Sequence, residues 1–190
     1  MVEYDPNHIY IKNQISYPTI SQSELETDFT KLFDSATKTV TIITPYLHLT
    51  SKLSKSIFRA IERGVKIKIL TNIILNGETF GGILSSINGK SANQLFKNIS
   101  LYEYNKVDNL LHAKIILIDG ELTILGSVNL NQRSFFHDTE NISYILSREY
   151  HDEVNKIAKE HFFSESELIN SKIKPNIFHR FLISLIPDVF

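Results

Sequence analysis

The stretch LLHAKIILIDGELTILGSVNLNQRS, Leu110–Ser134, combines two short apolar runs with polar residues at regular spacing. Ile115–Ile118 is mostly β-branched, the dipeptide Asp119-Gly120 favours a tight turn, and Leu122–Leu125 resumes the apolar pattern. This order of apolar run, turn and apolar run predicts a buried β-hairpin. The hairpin is the element from which the rest of the fold can be worked out.

Polar side chains flank the predicted hairpin at two-residue spacings. Because alternate side chains of a strand share a face, His112 and Lys114 should lie on one face. Ser127 and Asn129 should also share one face if the second strand extends that far, and the turn brings the two pairs towards each other. Gly126, directly before Ser127, is suited to a close approach of another group to the backbone.

These residue types favour phosphate chemistry. A neutral imidazole can be a nucleophile, while an ammonium group and hydrogen-bond donors can hold an anion. Lysine binds phosphate as a point charge, and donors aimed in advance stabilise the charge that develops on its oxygens. The sequence shows no convincing cluster of metal ligands near these residues. We therefore predict phosphoryl transfer through a phosphohistidine, without a metal ion or other cofactor.

The spacing His-x-Lys-x4-Asp-x6-Gly-Ser-x-Asn over residues 112–129 resembles the signature of the phospholipase D superfamily. Arg133, Ser134 and Glu140 follow where that family often has them. Other stretches resemble segments of bacterial cardiolipin synthases and related phosphatidyltransferases, namely TVTIITPY (39–46), RGVKIKILTN (63–72), ISLYEY (99–104) and, more loosely, RSFFHDTEN (133–141) and RFLISLIPDVF (180–190). The chain is most similar to the C-terminal catalytic half of those proteins.

This resemblance implies a fold and a set of site residues. The implied fold class is α/β, a phospholipase D-like sandwich of a mixed β-sheet flanked by helices, forming one motif-bearing half. The implied catalytic residues are His112, Lys114, Asp119 and Glu140. The implied phosphate-binding residues are Lys114, Ser127 and Asn129, with Gly126, Arg133 and Ser134 in support.

Two of these carboxylates have an alternative interpretation. Asp119 lies at the predicted turn, where a structural role through hydrogen bonds to backbone groups competes with direct chemistry. Glu140 either accepts the Nδ1 proton of a catalytic histidine, which leaves Nε2 free to attack, or is a surface carboxylate.

The chain carries one copy of the motif. None of the other histidines is followed two positions on by lysine, namely His8, His48, His137, His151, His161 and His179. Family chemistry uses two motif histidines, one attacking phosphorus and the other protonating the leaving group. We therefore expect either a homodimer about a two-fold axis or a complex with a second motif-bearing half of a longer protein.

Composition limits the remaining possibilities. The 190 residues suit one domain with a sizeable core, and a net charge of −1 argues against a dedicated nucleic-acid binder. The start VEYDPNHIYIKN lacks the features of a secretory signal, and no apolar run approaches the roughly 20 residues of a membrane span. Cytoplasmic and peripheral membrane locations stay open. We expect a linker-like segment over 1–20, the catalytic domain over 21–168 and an apolar tail over 169–190.

Strand and helix patterns alternate along the chain, which predicts an α/β sandwich with a mixed sheet. A capping box of Ser23 and Glu26 predicts a helix that carries the apolar stripe up to Ala36. The other expected elements are strand 40–44, helix 51–63 closed by Gly64, strand 65–70, loop 76–82, a helix leading to strand 99–104, strand 142–146 and helix 149–163.

Two features bear on the substrate. The basic residues Lys52, Lys55, Arg59 and Arg63 could face anionic lipid or simply be solvated, and the apolar residues of 177–190 could contact a membrane interface or a partner subunit. The prediction is phosphodiester transfer or hydrolysis on phospholipids, as in a cardiolipin synthase-type phosphatidyltransferase. The alternatives are a homodimeric single-motif phosphodiesterase acting on nucleic acid and a non-catalytic half of a split enzyme.

Overall fold

The structure is a computed structural model that describes residue 5 and residues 8–73, 79–105 and 109–173. Its strands are β1 (Tyr10–Ser16), β2 (Thr39–Ile43), β3 (Leu47–His48), β4 (Lys66–Thr71), β5 (Ser100–Tyr104), β6 (Ile115–Ile118), β7 (Leu122–Gly126), β8 (Leu130–Asn131), β9 (Glu140–Leu146) and β10 (Ser166–Leu168). Its α-helices are α1 (Glu24–Ser35), α2 (Ser51–Glu62), α3 (Thr79–Leu95), α4 (Gln132–Phe136) and α5 (Arg148–His161).

An eight-stranded mixed sheet forms the centre of the fold, in the order β1-β9-β7-β6-β2-β4-β5-β10. Strands β2, β4 and β5 are parallel to one another, and the remaining neighbours are antiparallel. A separate two-stranded sheet pairs β3 with β8 in parallel. This architecture confirms the predicted α/β class with a mixed sheet and flanking helices.

The two faces of the sheet bury different helices because successive strand side chains point in opposite directions. Ile42 of β2 belongs to the larger core cluster, which also contains Phe29 of α1 and Ile57 of α2. Its neighbour Ile43 belongs to a second cluster with Ala158 of α5. The sheet is therefore a rigid layer, covered on both faces, whose ends can carry a site.

Local sequence signals at the helix ends are confirmed. The Ser23 hydroxyl caps α1 by accepting a hydrogen bond of 3.0 Å from the backbone N–H of Glu26. Gly64 follows α2 with φ +86°, and its N–H donates a hydrogen bond of 2.9 Å to Ile61. In this left-handed conformation a side chain would be strained, so glycine is the residue that ends the helix at least cost.

The predicted hairpin is also confirmed. Asp119 and Gly120 have φ values of 54° and 81°, and the N–H of Glu121 donates a hydrogen bond of 3.1 Å to the carbonyl oxygen of Ile118. Two positive φ values at the centre of such a turn are the pattern of type I′. Strand β7 ends at Gly126, where a Cβ atom would lie 2.1 Å from the carbonyl oxygen of Asn141. The close backbone approach expected at Gly126 is therefore present, and no side chain fits there.

Two sequence expectations differ from the structure. The segment predicted as linker-like contains β1, an edge strand whose seven residues all pair with β9. Of the loop predicted over 76–82, residues 79–82 belong to α3, and residues 76–78 lie outside the described residues. The apolar tail begins with Ile169 and Ile173 packed against the core, and its residues from 174 onward lie outside the described residues.

No helix in the described part of the chain has both the length and the apolar character needed to cross a membrane.

Candidate active site

An open cleft of about 600 Å³ lies at one end of the central strands, where β6 begins, β7 ends and β9 begins. The hairpin turn between β6 and β7 lies at the opposite end of these strands. The cleft is therefore lined by residues at the open end of the hairpin. The lining residues are His112, Lys114, Gly126, Ser127, Asn129, Arg133, Asp138, Thr139 and Glu140. The structure thus brings together seven of the residues that the sequence singles out, and adds Asp138 and Thr139, for which the sequence gives no signal.

His112 and Lys114 lie side by side just before β6. The Lys114 Nζ donates a hydrogen bond of 2.9 Å to the carbonyl oxygen of His112 and lies 3.3 Å from Nδ1 and 3.4 Å from Nε2 of its ring. The imidazole itself is exposed to the cleft. The ammonium and the imidazole therefore face the cleft next to each other, so one group can bind an anion beside the other.

The position of Lys114 affects its proton affinity. Partial burial at the base of the cleft lowers its pKa below the ordinary value for lysine, and the negative charge of Glu140 acts in the opposite direction. The shift brings the proton equilibrium of this ammonium closer to neutral pH.

Glu140 is a buried carboxylate, 4% exposed, at the first position of β9. Its Oε2 accepts a hydrogen bond from the Ser127 hydroxyl, and that hydroxyl oxygen accepts a hydrogen bond of 3.0 Å from the N–H of Asn141. Within the described residues, the hydrogen-bond partner of this carboxylate is therefore Ser127. This occurs because the N–H of Ser127 also bonds to the carbonyl oxygen of Asn141, at 3.0 Å, which sets the serine beside the start of β9.

Asn129 and Ser134 are joined through backbone contacts. The N–H of Asn129 donates to the Ser134 hydroxyl at 3.2 Å, and the N–H of Ser134 donates to Asn131 Oδ1 at 2.9 Å. Asn131 is thereby the N-cap of α4, a role that its residue type could have indicated in the sequence. The Oδ1 of Asn129 is buried without a hydrogen-bond partner, while the residue as a whole lines the cleft.

Arg133 lies at the rim of the cleft. Its Nε is 3.1 Å from a carboxylate oxygen of Asp138, and its side chain is 62% exposed. An exposed ion pair of this kind contributes little to stability. Its effect is to hold a second cationic group beside the cleft mouth.

Asp119 lies away from the cleft, so the interpretation of this residue as catalytic needs correction. All of β6 separates it from Lys114, a distance of roughly 16 Å at the rise of an extended strand. Its carboxylate accepts hydrogen bonds of 2.7 to 2.9 Å from the N–H groups of Thr37, Lys38 and Thr39 and from the Thr37 hydroxyl. Burial raises the pKa of Asp119, but these hydrogen bonds outweigh burial and hold the pKa below its usual value.

The cleft offers a limited set of chemical groups. Within the described ranges, no three His, Cys, Asp or Glu side chains are grouped as metal ligands. The cleft instead combines an imidazole, two cationic side chains and a buried carboxylate at one sheet edge. Such a set can bind an anionic group next to a nucleophile.

Comparison with known proteins identifies the family. The family profile described as "Cardiolipin synthase, PLD-like domain" matches residues 29–162, a range that includes six of the eight strands of the central sheet and every cleft residue. The chain belongs to this family of PLD-like domains.

Individual relatives agree with this assignment. Cardiolipin synthase A of Buchnera aphidicola subsp. Schizaphis graminum is 32% identical over 142 residues, which are 72% of this chain and 27% of that protein. The chain therefore spans about a quarter of the length of this curated relative.

Two solved structures share the fold. Phosphatidylserine synthase of Haemophilus influenzae Rd KW20 superimposes with a TM-score of 0.77 at 18% identity, covering 96% of this chain and 47% of that one. Nuc of Salmonella typhimurium, a phospholipase D family member, gives a TM-score of 0.63 at 16% identity, covering 86% of this chain and 100% of that one.

Proposed function

We propose that the chain is a catalytic half of a phospholipase D-like enzyme that transfers or hydrolyses phosphodiesters of phospholipids through a phosphohistidine on His112. The observation that carries this proposal is the Lys114 ammonium 3.3 Å from the imidazole Nδ1 in an open cleft. A phosphodiester bound by this cation would meet an unprotonated imidazole nitrogen. The phosphodiester would then lie close to the nucleophile while the ammonium stabilises the charge on its oxygens.

The reaction has two steps. A nitrogen of His112 attacks phosphorus, a P–N bond forms, and the P–O bond to the leaving alcohol breaks while a second histidine donates a proton to that oxygen. An incoming alcohol or water then attacks phosphorus, the same second histidine takes its proton, and the P–N bond breaks. An alcohol acceptor makes the protein a transferase, and water makes it a hydrolase.

The second histidine comes from a partner in this proposal. Of the described residues that line the cleft, His112 is the only histidine. A second copy of the chain, or another motif-bearing half, would supply the general acid across an interface at the cleft.

The roles of the other cleft residues follow from their contacts. The Lys114 ammonium and the Nδ2 of Asn129 donate to the phosphate oxygens, and Ser127 contributes to that binding while holding the carboxylate of Glu140 in place. Glu140 in turn balances the charge of Lys114. Gly126 leaves room for β9, and Ser134 fixes the backbone of Asn129.

Phospholipid is the favoured substrate. The similar proteins include a cardiolipin synthase and a phosphatidylserine synthase, both named for the synthesis of phospholipids. The net charge of −1 does not favour a phosphate-rich polymer such as DNA.

A homodimeric single-motif phosphodiesterase is the second candidate. The observation that favours this second candidate is the superposition on Nuc, which covers the whole of that protein.

Product analysis tests the proposal. The chain is incubated with phosphatidylglycerol in detergent micelles, or with single-stranded DNA, and products are identified by mass spectrometry. The variant His112→Asn serves as the blank. We expect phosphatidyl transfer or phosphatidic acid release by the unmodified protein alone. DNA cleavage without any lipid product would favour the second candidate, and no reaction with either substrate would favour a non-catalytic role.

A further inference from the structure

We propose that Asn72 is a positioning residue for His112, an inference that rests on the role proposed for that histidine. Asn72 directly follows β4 and is 3% exposed. Its Oδ1 accepts a hydrogen bond of 3.2 Å from the N–H of Leu111, and its Nδ2 donates one of 2.9 Å to the carbonyl oxygen of Leu111. The side chain thus forms hydrogen bonds with both the N–H and the carbonyl group of the residue that precedes His112.

The arrangement of the strands explains why these two hydrogen bonds are needed. Strand β2 pairs with β6 only as far as the pair Ile43 and Ile115, after which the chain turns away through Pro45. The backbone that precedes β6, which carries His112, therefore has no hydrogen bonds to β2. The amide of Asn72 takes the place of that strand, since an amide presents one donor and one acceptor as a peptide group does.

Asn72 is itself held by a second buried asparagine. Asn88 of α3, 1% exposed, donates from Nδ2 to the carbonyl oxygens of Asn72 and Pro45, the latter at 3.3 Å. Its Oδ1 accepts a hydrogen bond of 2.9 Å from the N–H of Leu47. Asn72 also donates to Pro45, at 3.2 Å, so the two amides share one carbonyl oxygen.

This amide pair reaches both sides of the cleft. Leu47 is the strand partner of Leu130, which follows the cleft residue Asn129. Leu111, at the other end of the network, precedes His112. The distance between the nucleophile and the phosphate-binding amide is consequently set by contacts that lie below the cleft and touch no substrate.

Loss of such a contact should affect the chemical step more than substrate binding. Displacement of a reacting group by about 1 Å can cost on the order of 100-fold in rate. We therefore expect Asn72→Ala to lower kcat by about 10- to 100-fold while KM changes by less than about threefold.

The chain contains a matched control. Asn93 of α3 grips the backbone of Ile173 in the same way, with Nδ2 donating to the carbonyl oxygen at 2.7 Å and Oδ1 accepting from the N–H at 2.8 Å. Ile173 is not among the residues that line the cleft. Asn93→Ala removes the same kind of hydrogen-bonded pair, whereas Asn72→Ala also removes the bond to Pro45. Asn93→Ala should therefore lower the melting temperature by less than Asn72→Ala and leave kcat within about twofold of the unmodified protein.

The experiment compares the unmodified protein, His112→Asn, Asn72→Ala and Asn93→Ala. Hydrolysis of bis(p-nitrophenyl) phosphate gives kcat and KM, and NMR spectra give the imidazole resonances of His112, assigned by their loss in His112→Asn. A lower kcat and shifted His112 resonances in Asn72→Ala alone support the inference. Unchanged resonances and kcat in a folded Asn72→Ala overturn it, and so do equal changes in Asn93→Ala.

Two further provisions keep the result interpretable. If the unmodified protein shows no turnover, the proposed function fails, while the NMR comparison still decides the inference about Asn72. If Asn72→Ala does not fold, the smaller change Asn72→Ser is measured against Asn93→Ser with the same readouts and the same criteria.

Discussion

Lys114 donates a hydrogen bond of 2.9 Å to the carbonyl oxygen of His112, and its ammonium lies 3.3 Å from Nδ1 of the same residue. The cation and the proposed nucleophile are therefore fixed to each other by the backbone between them. This relationship makes the charge on Lys114 a direct determinant of phosphate binding.

The first prediction concerns the pH dependence of activity. Burial lowers the pKa of Lys114, so its ammonium loses its proton at a lower pH than an ordinary lysine. Phosphate binding needs the protonated form, so kcat/KM should decline on the alkaline side below the pH at which free lysine titrates. In Lys114→Arg, which stays charged, this decline should disappear, even if the rate falls overall. A pH profile that is the same in both proteins would contradict the assignment.

The same shift fixes the sign of a stability effect. Between the lowered pKa of Lys114 and its ordinary value, the unfolded chain binds a proton that the folded chain has released. The free energy of unfolding should therefore increase, and the folded protein become more stable, as pH rises through this interval. Urea denaturation at several pH values, with Lys114→Met as the reference, measures the slope.

The second prediction concerns the covalent intermediate. His112→Asn should abolish turnover and leave the fold intact, because the imidazole is exposed to the cleft and makes no core contact. Quenching the unmodified protein during turnover should trap phosphorus on His112 as an acid-labile, base-stable adduct, located by peptide mapping. Phosphorus found on another residue, or a near-normal rate in His112→Asn, would overturn the assignment.

The third prediction concerns pairing. If two copies of His112 form one active unit, mixing with His112→Asn produces inactive mixed dimers. At equal amounts and constant total concentration, activity should fall to about one quarter, whereas independent subunits would retain about one half. Light scattering on the same samples reports the oligomeric state. Full activity in a strictly monomeric sample would refute the requirement for a partner.

The fourth prediction concerns metal ions. The groups proposed to bind phosphate are the Lys114 ammonium and hydrogen-bond donors such as Asn129, and they need no bridging cation. Hydrolysis of bis(p-nitrophenyl) phosphate should therefore continue in the presence of excess EDTA. A loss of activity that only an added divalent ion restores would contradict this mechanism.

The fifth prediction separates Asp119 from the chemistry. Asp119→Asn keeps a residue that tolerates the positive φ of 54° but loses the carboxylate that accepts from residues 37 to 39. We expect the free energy of unfolding to fall by about 1–3 kcal/mol, with kcat within about twofold of the unmodified protein. Chemical denaturation and steady-state kinetics measure the two quantities, and a large loss of kcat in a stable variant would return Asp119 to the catalytic set.

The acid dependence of that effect has a definite sign. Hydrogen bonds hold the pKa of Asp119 below its usual value, so its stabilising contribution is present above the usual pKa and is lost as pH falls through the lowered one. The stability difference between the unmodified protein and Asp119→Asn should shrink in acid.

The sequence by itself determined the features that depend on neighbours along the chain. The hairpin of β6 and β7, its type I′ turn at Asp119-Gly120 and the close approach at Gly126 all follow from local residue patterns. The two-residue spacing of His112 and Lys114 likewise indicated that the two side chains meet. These features were predictable because covalent geometry and turn preferences act within a few residues.

Only the tertiary structure decided the contacts between distant segments. Asp119 accepts hydrogen bonds from residues 37 to 39, about 80 positions away, and Asn72 forms hydrogen bonds with the backbone of Leu111, 39 positions away. Glu140 bonds to Ser127, and the segment that looked like a linker supplies β1. Such contacts depend on how strands far apart in the chain align in the sheet, and one apolar pattern is compatible with several strand orders and neighbours.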